Sequence, residues 1–327
     1  MTDAAAEEKP RGWRRLGVNP VYVVLLLLIV AIVVLSPHFL QPTGYMNFLR
    51  RAAPLAILAA GQVYVIVAGG FDLSVGSLIT LTVIGSSILI NGDPNATYWV
   101  IPLMLFIGLA VGVVNGLVVA YLKVPSIIAT LGMMITLNGI ALTWSGGAPR
   151  GYLPDSFRFL GRYIIKDVPL VQILPVAVLV LLVVGAALWW LMHRTHYGRL
   201  VHAVGDNPRA ALLAGVPVAR VRISSFVVSS LSAVVAGILL GGFAGVSTDV
   251  GAGYELQAIT AAVIGGAQLL GGYGSVTASI AGALTLQAIF TLLNMLGLPQ
   301  PTREVVQGLI LISAVAFAMY RRRHAGR

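Results

Sequence analysis

The sequence predicts an all-α integral membrane protein of about ten transmembrane helices, several of them short or broken. Three observations carry that expectation. Of 327 residues, 58% are hydrophobic and 10% are charged, and the mean hydropathy is +0.92. A soluble domain carries about 25% charged residues, so a soluble fold is excluded. The apolar residues fall in long uncharged runs, and a bilayer core takes about 20 such residues per helix. Finally, the run Gly70-Phe71-Asp72-Leu73-Ser74-Val75-Gly76-Ser77 places a carboxylate between two apolar stretches, Ala52 to Val67 and Leu78 to Ile90.

Residues 1–19 mix Asp3, Glu7 and Glu8 with Lys9, Arg11, Arg14 and Arg15 and read as a cytoplasmic tail. The apolar run Val21 to Leu35 ends in Ser36-Pro37-His38-Phe39, with no small-residue cleavage site, so it predicts a retained first helix. The expected spans lie at about 20–36, 52–69, 74–91, 98–121, 126–145, 169–192, 221–246, 255–270, 274–296 and 303–320. Together they make one transmembrane domain over 20–320, closed by a basic tail at 321–327. Interruptions by Gly and Pro are common in transporters whose helices break near the midplane. With the N-terminus inside, two-thirds of the 21 basic residues fall on the cytoplasmic side, including Lys123, Arg194, Arg199, Arg209, Arg220, Arg222 and Arg321 to Arg323. That bias predicts both termini in the cytoplasm. Two long connections remain, an outer loop at about 146–168 and an inner loop at about 193–220. Ala68-Gly69-Gly70 before Gly76-Ser77 is echoed by Ile264-Gly265-Gly266 before Gly274-Ser275, a weak internal similarity.

Asp72 is the acid with uniformly apolar surroundings; Asp249 and Glu255 are expected at an outer helix boundary. An ionisable residue at membrane depth reads as a functional site. Gly69, Gly70 and Gly76 permit a broken helix, which membranes tolerate only where it is buried or lines a cavity. Two readings stand side by side: Asp72 and Ser74 cap a tight turn near the cytoplasmic surface, or Asp72 has a direct role along a transport path beside the break at Ser74 and Gly76.

Several chemistries are excluded. The three lysines are followed by Pro10, Val124 and Asp167, so no phosphate-cradling Gly-Lys-Ser/Thr exists. The chain has no Cys, and His193 and His196 sit beside Arg194 and Arg199, where a metal cation would be repelled. No hydrolase or metalloprotease pattern occurs. No catalytic residue, metal or cofactor is expected, and membrane topology explains the net charge of +10 better than a nucleic-acid groove does.

In the inner loop, Asp206 or Asn207 caps a helix that Pro208 begins and Gly215 with Pro217 ends, over about 208–214. It either docks in a partner groove or rests on lipid headgroups. Here the residues carry a resemblance. Arg209-Ala210-Ala211-Leu212-Leu213-Ala214-Gly215 resembles the Glu-Ala-Ala-x-x-x-Gly loop of ABC importer permeases. Gly70 to Ser77, Asn115-Gly116, Val124 to Gly132, Gly253 to Gly266 and Gly271-Gly272-Tyr273-Gly274 resemble, in order, stretches of the ribose/xylose-type sugar permeases. The departures are Arg209 for the usual Glu, Asn138 for Arg, Gln257 for Asp or Asn, Ala267-Gln268 for Thr-Ser, and Ala278-Ser279 for Gly-Thr.

The resemblance implies the ABC importer permease fold in a bacterial cytoplasmic (inner) membrane. It implies a second permease copy or paralogue, ATPase subunits below, and an external solute-binding protein delivering a small polar solute, a sugar. Arg209, Ala210, Ala211 and Gly215 are then the ATPase-coupling residues, and Asp72, Ser74, Gly76, Ser77 and Asn115 belong to the translocation path. Arg150, Arg158 and Arg162 are candidate contacts for the binding protein. An ion-coupled secondary transporter is the alternative, and it would call for a second membrane-embedded charge. A non-transporting scaffold would leave the broken helices unexplained.

Overall fold

The computed structural model describes residues 19–169, 171–299, 301–302, 304–310, 312–313 and 316. The expected tail up to residue 18, the basic tail 321–327 and much of the tenth expected span lie outside the described residues. The remaining chain forms α1 (Pro20–Leu35), α2 (Pro42–Val67), α3 (Val75–Ile90), α4 (Thr97–Ala120), α5 (Ser126–Ser145) and α6 (Asp155–Arg162). A hairpin of β1 (Ile164–Val168) and β2 (Gln172–Pro175) leads to α7 (Val176–His193), α8 (His196–Asp206) and α9 (Pro208–Leu213). Then come α10 (Val218–Ala244), α11 (Tyr254–Ile264) and α12 (Val276–Met295). Among the described residues, six helices are long and apolar enough to cross a membrane: α2, α4, α5, α7, α10 and α12; α1, α3 and α11 are shorter apolar helices.

The most buried helix is the least apolar of the six. Ala52, Ala53, Ala56, Ala59, Ala60 and Gly61 give α2 a small-residue surface, and every residue from Ala52 to Ala68 is buried. In lipid, helices associate through close packing rather than hydrophobic burial, so small residues win the centre. The same rule joins α4 to α10. Gly108, Gly112 and Gly116 recur every fourth residue and receive Val234, Val227 and Ile223, leaving no room for a Cβ.

Three sequence expectations need correction. The second helix begins at Pro42, not near 52, because Arg50 and Arg51 are carried inside a continuous helix rather than ending it. The sixth span begins at Val176, not near 169, since β1 and β2 pair antiparallel with Ile164 opposite Pro175. The eighth expected span ends early, at Ile264.

Contacts sort the loops into two ends. At one end, Asn19 Nδ2 donates to the Gly265 carbonyl (2.8 Å), Gly272 N–H to the Val67 carbonyl (2.9 Å), and α8 and α9 lie alongside. At the other, Ser87 Oγ donates to the Arg150 carbonyl (2.7 Å) and Arg158 Nε to the Gly242 carbonyl (3.1 Å).

Candidate functional site: the broken helix, the returning loop and the inner bracket

α2 stops because Gly69 turns left-handed (φ +85°) and Gly70 N–H reaches back to Val65 (2.9 Å). The chain then runs extended to Ser74, and its exposed amides are met by hydroxyls of α5. Phe71 N–H donates to Ser126 Oγ and Leu73 N–H to Thr130 Oγ1, each at 3.1 Å. The Asp72 carboxylate accepts through Oδ1 from Ser74 N–H (3.0 Å) and Ser74 Oγ (2.6 Å). Asn115 Nδ2 of α4 donates to Ser74 Oγ (2.9 Å). Gln62 Nε2 of α2 donates to the Asp72 carbonyl (3.2 Å), and its own Oε1 accepts from Ser229 Oγ of α10 (3.1 Å). The break is therefore held by α2, α4, α5 and α10 together.

Three of the sequence-derived path residues, Asp72, Ser74 and Asn115, share this network, and all are buried inside the subunit. Ser74 occupies the cap position of α3 but makes no cap bond; the helix entrance is closed instead by Asp72, two residues earlier. Gln62 anchors Asp72 five residues before the end of α2, which at 1.5 Å per residue lies about 7 Å inside that end. The Asp72 Oδ2 atom has no hydrogen-bond partner. Gly76 and Ser77 sit in the first turn of α3, Gly76 facing away from the network toward a second feature.

That feature is a returning loop. After α10, residues 245–253 fold back so that Gly251 N–H donates to Thr80 Oγ1 (3.1 Å). A methyl group at Gly76 would collide with the Glu255 carboxylate and the Gly251 carbonyl. Gly76 lies fourteen residues before Ile90, about 20 Å from the far end of α3. Glu255 thus stands deep in the bundle, not at an outer boundary as expected. The polarity of Ser247, Asp249 and Glu255 mimicked a surface loop, and a glycine-rich return carries no hydropathy signal of its own. The segment stays partly open, with Glu255 and Gln257 half-buried and Leu256 44% exposed.

At the end of the bundle that holds Asn19 and Gly272, Asn207 caps α9 by accepting from Arg209 N–H and Ala210 N–H at 3.0 Å, and Gly215 (φ +82°) ends it, as the sequence pattern predicts. Arg209, Ala210 and Gly215 are exposed, as are Leu212 (64%) and Leu213 (90%). Ala211 points the other way, into a cluster with Met192, Val201, Val204 and Val221, so it anchors the helix rather than presenting itself to a partner. The sequence did not foresee α8. Its Gly205 lies against the Val67 carbonyl and Gly272, and His202 Nδ1 donates to the Gly272 carbonyl (2.9 Å). Tyr197 stacks on Tyr64 of α2, and burial pushes the Tyr197 phenol above its ordinary range. The inner loop is a bracket fixed to the end of α2 and to the α11–α12 turn.

Of the outer-loop arginines, Arg158 is tied to Gly242, whereas Arg150 and Arg162 are exposed.

Residues 44–315 match the family described as the permease component of the branched-chain amino acid transport system. The chain belongs to this permease family. It is a multi-pass membrane permease. It is similar to the ribose import permease proteins of Escherichia coli K12 (34% identical; 90% of this chain, 91% of the relative) and Bacillus subtilis 168 (33%; 89% of each). The galactose/methyl galactoside import permease protein of Haemophilus influenzae is 31% identical, covering 95% of the permease and 97% of the relative. No solved structure matches the permease. Among its departures from the sugar permeases, Asn138 and Gln257 lie on open faces of α5 and α11, while Ala267, Ala278 and Ser279 are buried.

Proposed function

We propose that the chain is the transmembrane subunit of an ATP-driven importer in the bacterial inner membrane, passing a monosaccharide or similar small polar solute handed over by an external binding protein. The carrying observation is the inner bracket. A short helix with Leu212 and Leu213 exposed is mounted on α8, which is seated on the end of α2 and on Gly272. An ATPase subunit docking there would move the ends of the helices that flank the break at Asp72. The lack of any nucleotide motif fits energy arriving through such a contact. The ten-span topology with both termini in the cytoplasm places the bracket inside, in keeping with the basic bias.

A second copy or paralogue would complete the pore. Gly132, Thr136, Gly139 and Thr143 form an exposed row on α5, with nothing packed against either glycine. Small-residue faces are the preferred contacts between membrane helices. Within each subunit the Asp72–Ser74–Asn115 network holds the break beside the path, and Gly76 and Ser77 lead from it. The solute passes the open side of 245–257, because a half-buried carboxylate at Glu255 requires water rather than lipid. The relatives' names motivate the sugar, and Asn138 and Gln257 would set which one.

The test replaces Leu212 and Leu213 by Ser in tagged permease. Expected is normal insertion with loss of a co-purifying ATPase and of ATP-dependent uptake. Retention of both would refute the coupling assignment. Glu255 also supplies the second membrane-embedded acid that an ion-coupled transporter would use. Uptake into vesicles without ATP, driven by an ion gradient, would favour that reading instead.

A further inference from the structure

At the inner end, a cavity of about 390 Å³ opens between the close of α2 at Gly69 and Gly70, the α4–α5 turn, and the start of α10. Its charged lining is Lys123 and Arg222, and no carboxylate lines it. Neither cation has a hydrogen bond or ion pair among the described residues. Two unpaired cations facing one hollow repel each other and call for an anion. Ser126 and Ser225 add hydroxyls to the wall, and α5 begins there with no side chain capping its first amides. Such a helix start favours negative charge. Lys123 is held at φ +57°, a conformation uncommon outside glycine, on the turn that carries its side chain to the cavity.

We propose that this cavity binds the phosphate of an anionic phospholipid, such as phosphatidylglycerol, from the cytoplasmic leaflet. The placement rests on the orientation proposed above; the binding itself does not depend on transport. The size suits a headgroup, since small-ligand sites run from about 300 Å³ upward. The surroundings choose lipid over free phosphate. Tyr121 (61% exposed) and Leu122 (71%) precede Lys123, and Ile127 (50%) and Ile128 (62%) follow Ser126. These exposed apolar side chains adjoin the lining residues Lys123 and Ser126 in the chain, an apolar surface that acyl chains would cover and from which a soluble anion would gain nothing. Basic pockets between helix ends on this side of a membrane recognise anionic headgroups.

The test titrates the detergent-purified full chain with short-chain phosphatidylglycerol, phosphatidylcholine and inorganic phosphate, reading bound ligand by native mass spectrometry. Phosphatidylglycerol is expected to bind more tightly than phosphatidylcholine. Lys123→Gln and Arg222→Gln should each weaken it about fivefold, in line with roughly 1 kcal/mol per basic residue, and the double change should weaken it further. Lys123→Arg should retain binding, as should Arg220→Gln, whose arginine is exposed outside the cavity. Unchanged thermal midpoints would show that the variants are folded; should Gln fail that check, Lys123→Arg with Arg222→Lys against Lys123→Arg alone supplies the comparison. The proposal is overturned if the folded double variant binds phosphatidylglycerol like the parent, or if the two lipids bind alike. Inorganic phosphate binding with the same dependence on Lys123 and Arg222, without any preference for the anionic lipid, would assign the cavity to a free anion.

Discussion

Asp72 and Glu255 lie on opposite sides of the α3 start, joined through Gly76, yet they meet different surroundings. Around Asp72, side chains from α2, α4 and α10 and hydroxyls of α5 close over the break. Around Glu255 the loop is pinned on one side, by Thr80 and Gly76, and stays open on the other. A carboxylate enclosed by a network holds parts together, because moving any partner orphans another buried group. One left half-open at membrane depth has its remaining lone pairs available to water or to a solute. On the function proposed above, the first region serves as a fixed joint and the second as a wall of the path.

The largest effect is expected where the two regions touch. Gly76→Val would drive side-chain atoms into the Glu255 carboxylate and the Gly251 carbonyl. Backbone on one side cannot yield, so a loss of about 3 kcal/mol, at the upper end of overpacking costs, is expected in thermal or denaturant unfolding. Parent-like stability would mean that the returning loop does not sit on α3, and the contrast drawn above would lose its geometric basis.

Next comes the closed region alone. Gln62→Leu leaves the Asp72 carbonyl and the Ser229 hydroxyl without their partners, and buried unsatisfied groups cost about 1–3 kcal/mol each. Stability and uptake should fall together, by about 2 kcal/mol in the first. A drop in uptake at full stability would instead make Gln62 a solute contact.

Asp72→Asn separates joint from path within that region. The amide oxygen can keep both bonds from Ser74, and Oδ2 has no partner to lose. A change within about 1 kcal/mol is expected, with uptake within twofold of the parent, since neutral and ionised acceptors differ by roughly that much. Collapse of uptake without loss of stability would show that the charge itself serves transport.

How far the sequence discloses this arrangement depends on the kind of signal each part carries. Uncharged runs disclose the long helices, and the glycines flanking Asp72 disclose the break. Asn207, Pro208 and Gly215 disclose α9, because caps are local chemistry. The arm of the Asp72 network that runs through Gln62 to Ser229 is not legible. Gln62 and Ser229 are single neutral residues 167 positions apart, each unremarkable within its apolar helix. Nor is α8: a segment rich in His and Arg hides that Gly198, Val201, Val204 and Gly205 face inward. Hydropathy misplaced Glu255 because it reads polarity along the chain, and a loop that turns back into the bundle has the polarity of one that stays outside. Arg50 and Arg51 shortened the expected second helix for the same reason, although the helix runs through them.

The smallest effect on stability, and the sharpest on the contrast, is expected at Glu255 itself. Its hydrogen bond is local, from Gly253 N–H at 3.3 Å, and its side chain is half-open. Glu255→Gln should therefore change unfolding by no more than about 0.5 kcal/mol, the range of open positions, while altering the KM for uptake. The chain contains no cysteine, so Glu255→Cys and Asp72→Cys can be compared without background. A membrane-impermeant thiol reagent added from the outside should modify the first, and solute should slow it, whereas the second should stay unmodified until the protein is unfolded. Equal reactivity at both positions would erase the distinction between joint and wall. Reactivity at 72 and protection at 255 would reverse it, returning the path to the broken helix and leaving the returning loop as the brace that holds it.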